Sequence, residues 1–188
     1  MIGRLPRALD VCGVSYAIDS DFRNILTINA AFCDDELTQR EQLYICLKRL
    51  YRDFGAVPRE HLDKAAGRAF WFISGGDAPK GKPSPRRLLD WEHDESMIFS
   101  AVNAVARCEV RELDYLHWWT FLGYLSERSE NSLLSAVVSI RYKLAHGKKL
   151  EKYEREFLNN NRELVVLRTK EEQAAIDETE AFLKTLIG

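Results

Sequence analysis

The chain has 188 residues, with 27 Lys and Arg against 29 Asp and Glu, a formal net charge of −2 and 46% hydrophobic residues. That balance argues against a dedicated nucleic-acid binder, which needs surplus cations, and no apolar run approaches the ~20 residues that cross a bilayer. A chain of this length can bury about 70% of its unfolded surface without a disulfide or metal. Its start, Met1-Ile2-Gly3-Arg4-Leu5-Pro6-Arg7, lacks the apolar stretch of a secretory leader, so the expected location is the cytoplasm.

Leu9 and Val11, then Val14, Tyr16 and Ile18, alternate around Cys12-Gly13, which predicts a β-hairpin over 9–18. Helical signals follow. Asp19 or Ser20 can cap a helix carrying Phe22, Ile25, Leu26 and Phe32, which Asp34-Asp35 breaks. Thr38 and Glu41 form a capping box. Behind it Leu43, Tyr44, Leu47, Leu50, Tyr51 and Phe54 fall on one helical face. Gly55 ends that helix, and Pro58 suits the first turn of a third, running to Trp71-Phe72.

Residues 74–87 hold three of the five prolines and Gly75, Gly76 and Gly81, which predicts a mobile loop. Lys80, Lys82, Arg86 and Arg87 make it basic, a candidate contact for an acidic partner. A fourth helix is expected from about Leu88 to Ala106, with Asp90 as cap and Glu92, Asp94 and Glu95 favoured by the helix dipole. A fifth, from Leu113 to Leu125, is apolar on nearly every side, and a sixth spans about Glu130 to Ala145. A charged helix from about Lys149 to Leu158 follows. Leu164-Val165-Val166-Leu167 is short enough for a strand pairing with the hairpin, and Thr169 to Glu172 opens a last helix. The expected fold is mainly α: one compact domain over 1–188, a bundle of seven to eight helices in two halves (19–73 and 88–188) with an N-terminal hairpin.

Chemistry is thinly signalled. Cys12, Cys33, Cys46 and Cys108 are 21, 13 and 62 residues apart, without zinc-ligand spacing, and read as small buried apolar residues. Asp90, Glu92 and Asp94 suggest a metal or carboxylate pair, but Glu92 would point about 200° away on a helix, and capping explains the charges. Asp114, His117 and Thr120, spaced by three, would line one side of the fifth helix, with Asp114 orienting His117; the simpler reading is a satisfied polar stripe. No phosphate-binding loop, G-x-S-x-G or H-E-x-x-H occurs. No catalytic residue, metal or cofactor is therefore assigned, and the expectation is a binding protein rather than an enzyme. The 20 aromatics concentrate at Phe70-Trp71-Phe72 and Trp118-Trp119-x-Phe121.

In order along the chain, Asp19-x-Asp21-Phe22-Arg23, Trp71-Phe72 with Gly75-Gly76, Leu89-Asp90-Trp91-Glu92-x-Asp94, Leu116-His117-Trp118-Trp119-x-Phe121 and Ile140-Arg141 resemble the phage "gene product fifteen" family. That family belongs to the tail-morphogenesis region of long-tailed phages and prophages of Gram-positive bacteria. His93 stands where its relatives are expected to carry glutamine. The resemblance implies a tail assembly chaperone in the host cytoplasm that binds the tape-measure protein, the tail tube protein or both. A permanent structural protein of the tail or head-tail junction is the runner-up, and a homo-oligomer is compatible with either. It implies no catalytic residue. Aromatic grooves accept apolar helices, so Trp71, Trp118, Trp119 and Phe121 are the candidate partner-binding residues, with Lys80, Lys82, Arg86 and Arg87.

Overall fold

The computed structural model describes residues 3–76 and 88–167. Strands β1 (Ala8–Val11) and β2 (Val14–Ala17) pair antiparallel, with Leu9 opposite Tyr16 and Val11 opposite Val14. Cys12 and Gly13 both have positive φ, 54° and 84°, the signature of the two-residue turn whose twist matches the strands. Leu9 and Val11 are buried, so the hairpin docks by one face of β1.

Helix α1 (Phe22–Phe32) is capped by Asp21, whose carboxylate accepts from the Arg23 amide. Helix α2 (Gln39–Leu50) has the expected capping box between Thr38 and Glu41. It ends sooner than the apolar pattern suggested. Tyr51 is extended and bridges Ile18, while Asp19 donates to the Leu50 carbonyl and Arg52 to that of Ala17. The strand leaving the hairpin thus competes for the backbone that would continue the helix. Tyr51 remains buried, its hydroxyl donating to the Ala65 carbonyl, whereas Tyr44 is exposed. Two short 3-10 turns, at Phe54–Ala56 and Arg59–His61, lead into α3 (Leu62–Ile73).

Helix α4 (Glu95–Ala106) begins seven residues later than Leu88. The Asp90 carboxylate accepts from the Glu92 and His93 amides and holds a turn there instead. Helix α5 (Trp118–Ser126) also starts late, at His117 rather than Leu113. The preceding residues lie extended against 20–22: Phe22 donates to the Leu116 carbonyl, Trp118 to that of Ser20, and Leu116 to the Asp21 carboxylate. Helix α6 (Leu133–Ala145) is capped by Ser132, and α7 (Lys152–Asn160) follows a turn at Gly147. Leu164 and Val165 belong to α8 (Arg162–Val165), a single helical turn rather than a strand. Their carbonyls accept from Arg141 and so are not offered to the hairpin.

One apolar core runs through these elements, from Leu9 and Phe22 through Leu50, Phe72 and Trp118 to Val137 and Ile140. Of the cysteines, only Cys46 is buried, its thiol pushed up to about 12 by burial; Cys33 is half-buried, and Cys12 and Cys108 are exposed, contrary to expectation. The expected last helix, and the loop beyond Gly76, lie outside the described residues. Among the described residues, no helix is long and apolar enough to cross a membrane.

Candidate functional site: an aromatic junction and its exposed flank

Helix α3 ends against the start of α5. A helix leaves its last carbonyls without intrahelical donors, and here two successive indoles supply them. Trp118 Nε1 donates to the Ile73 carbonyl and Trp119 Nε1 to that of Phe72, both at 2.8 Å. Gly75 and Gly76 then turn the chain with φ of 83° and 89°, and the Gly76 amide returns to the Trp71 carbonyl. A Cβ on Gly76 would lie 2.7 Å from the Trp119 ring. Only glycine suits both the backbone angle and the ring above it.

The rings continue inward. Phe22 stacks on Phe121 with centroids 4.8 Å apart, and Trp118 stacks on Phe121 at 5.7 Å. Trp91 tilts against Trp118, and Trp71 meets Trp119 edge-on at 5.3 Å. Trp118 is 1% exposed and Phe121 fully buried. Those two candidate partner contacts are core residues, because α5 has its inner face packed against α1 and α4. Trp71 and Trp119 are half-buried at the edge of the junction. Lys80, Lys82, Arg86 and Arg87 lie outside the described residues.

The expected stripe of Asp114, His117 and Thr120 does not form, since Asp114 precedes the helix. His117 instead caps α5. Its Nδ1 accepts from the Trp119 amide, so Nε2 carries the proton and donates to the Pro6 carbonyl. Burial holds its pKa below the ordinary value, the Pro6 carbonyl opposes this, and Arg7 adds to the lowering. His117 is thus a neutral clasp between α5 and the N-terminal segment.

A second buried polar unit joins the far side. Asp94 is fully buried and Arg141 5% exposed; they pair bidentately at 2.6 and 2.9 Å. Arg141 also donates to the carbonyls of Leu88, Leu164 and Val165. This single guanidinium ties together α4, α6, α8 and the segment before α4. Capping alone therefore does not explain Asp94. Among the described residues, no group of three or more His, Cys, Asp or Glu side chains could hold a metal ion.

Outside the junction, α3 presents a different surface. Phe70 is 49% exposed and rests its ring against Phe32, centroids 5.6 Å apart. Arg68 lies over the Trp71 ring at 4.3 Å. Sequence reasoning named Phe70 among the aromatic clusters but passed over it as a contact residue. The usable signal was spacing: Phe70 falls on the opposite side of α3 from buried Ala65, Ala69 and Phe72.

These features define a small, mainly helical protein with an N-terminal hairpin, a buried aromatic and ionic interior, and an exposed aromatic flank on α3. The family model for the Bacteriophage Gp15 protein matches residues 1–167, and the chain belongs to that family. No curated protein and no solved structure matches the chain. Residues that carry the family resemblance, among them Asp21, Phe22, Gly76, His117, Trp118, Phe121 and Arg141, are the ones that join the helices.

Proposed function

We propose that this phage protein is a tail assembly chaperone, which binds the tape-measure protein, the tail tube protein or both during morphogenesis and catalyses no reaction. Membership of the phage family supports the setting. The observation that carries the binding role is the exposed pairing of Phe70 with Phe32 beside half-buried Trp71. Aromatic rings left in water are the anchors that dominate polypeptide contacts, and a tape measure is expected to expose apolar helical stripes until a tube encloses it. Phe70 makes this anchor without being needed to close the core.

Co-expression with the tape-measure protein tests the reading. The expected result is a soluble complex, reduced at least tenfold by Phe70→Ala with the helical circular-dichroism signal unchanged. A tape measure that precipitates equally with and without the chain contradicts it. Stoichiometric presence of the chain in purified particles would favour a permanent structural role instead.

A further inference from the structure

The segment ahead of the hairpin is tied down lightly. Residues 3–5 and 7 are exposed, and Pro6 is half-buried. Among the described residues, its first hydrogen bond to the rest of the chain is at the Pro6 carbonyl, which accepts from His117 Nε2 at 2.9 Å. The Arg7 carbonyl then accepts from the Ile18 amide at 3.0 Å, and the Arg7 guanidinium lies 5.0 Å from the centre of the Tyr115 ring.

His117 commits its two ring nitrogens to backbone groups of opposite kind. Nδ1 accepts from the Trp119 amide at 3.0 Å, and Nε2 donates to Pro6. Only the neutral imidazole with its proton on Nε2 makes both bonds. A second proton would sit on Nδ1 and face the Trp119 N–H, donor against donor. The surroundings also oppose a charged ring. His117 is 3% exposed, and its ring stands nearly perpendicular to those of Phe72 and Trp119. It caps the N-terminus of α5, the end of a helix that repels a cation. Arg7, on the segment it holds, adds repulsion. Asp21 bridges His117 through the backbone, but its carboxylate is taken by the Arg23 and Leu116 amides and the Arg23 guanidinium. The Tyr115 hydroxyl is bonded to Ser20 Oγ. Neither ring nitrogen has a carboxylate partner to stabilise the charge. A protonated ring therefore has to leave its place, and leaving breaks the α5 cap and the Pro6 bond together.

We infer that His117 is an acid-operated latch: taking a proton at Nδ1 frees residues 3–7 from the start of α5 and uncovers the edge of the aromatic junction beside Phe72 and Trp119, while the helices stay folded. The latch stands apart from the chaperone reading. Burial and Arg7 hold the ring's pKa below its ordinary value, so opening is confined to pH below about 6.5. The far side of the molecule is held by the buried pair of Asp94 with Arg141, which plays no part in the opening.

The test is amide hydrogen exchange of the full chain between pH 7.5 and 5, corrected for the intrinsic pH dependence of exchange, alongside nitrogen NMR of the His117 ring. The Trp119 amide reports the cap, the Ile18 amide reports the hold on Arg7, and the α6 amides report the global fold. The expected result is a neutral ring protonated at Nε2 at pH 7.5. As that ring titrates, protection of Trp119 and Ile18 falls at least tenfold with the same midpoint, and α6 protection and the helical circular-dichroism signal are retained. His117→Gln can accept and donate but cannot take up a proton, so Trp119 and Ile18 exchange in this variant is expected to show no such pH dependence. Titration of the ring with Trp119 and Ile18 protection unchanged overturns the inference. So does a wild-type pH dependence that persists in His117→Gln, or a loss of protection shared equally by α6.

Discussion

The junction where α3 ends against α5 and the exposed flank of α3 belong to one helix, yet they obey different rules. On the inner side the helix ends are capped by side chains: indoles cover the Phe72 and Ile73 carbonyls, and His117 accepts from the Trp119 amide at the start of α5. On the outer side Phe70 stays half in water, Gly67 has no packing neighbour and Arg68 Nε has no described hydrogen-bond partner. Residues that mark the family serve mainly the first side. The contrast teaches that the motifs of this chain report how it folds, whereas the surface proposed above for partner contact lies among residues the motifs skip.

Substitutions can break the inner side in graded steps. The largest loss is expected for Arg141→Met, which leaves Asp94 buried without its partner and strips three carbonyls of a donor. Removing one member of a buried pair costs about 3–5 kcal/mol, measurable by urea denaturation. Gly76→Ala comes next. It forces alanine to a φ of 89° against the Trp119 ring, at a cost of about 1–3 kcal/mol, and should shift tryptophan fluorescence. A loss in either variant smaller than about 0.5 kcal/mol would mean that the inner side tolerates gaps.

His117 gives a pH test of the same side. Its folded pKa is lowered, chiefly by burial, so between that value and the unfolded value of about 6.5 the unfolded chain binds the extra proton. Stability is therefore complete above about pH 6.5 and falls as the pH drops toward the folded value. Subtracting the profile of His117→Gln from that of wild type isolates this slope. A difference that is flat from pH 7 to 5 would contradict the clasp.

The outer side predicts the opposite sign. Gly67→Ala should raise stability by up to about 1 kcal/mol, because its Cβ enters open space. Cys12→Asn makes the smallest change, a few tenths of a kcal/mol of gain, since asparagine accepts the left-handed turn position more readily.

Local chemistry made much of the fold legible. The Cys12-Gly13 turn and the Thr38–Glu41 box are each decided within a few residues, and both stand as read. Long-range competition hid the rest. Nothing near Leu113 shows that the Asp21 carboxylate will draw Leu116 into an extended bridge and delay α5. Nothing near Leu164 shows that Arg141 will take its carbonyl. The partner candidates divided for a similar reason. Periodicity shows that α5 is apolar all round, but only packing decides that Trp118 and Phe121 point inward while Trp71 and Trp119 reach the edge. Gly67 was legible in principle as a glycine inside a helix, a pattern that asks for a packing or functional reason.

Hydrogen–deuterium exchange of the full chain, alone and in complex with the co-purified tape-measure protein, tests the division between the two sides most directly. The account predicts that amide exchange slows on binding over Leu62–Ile73, with α5 and α6 unchanged. Protection confined to α5 or α6, with α3 exchanging as in the free chain, would contradict it.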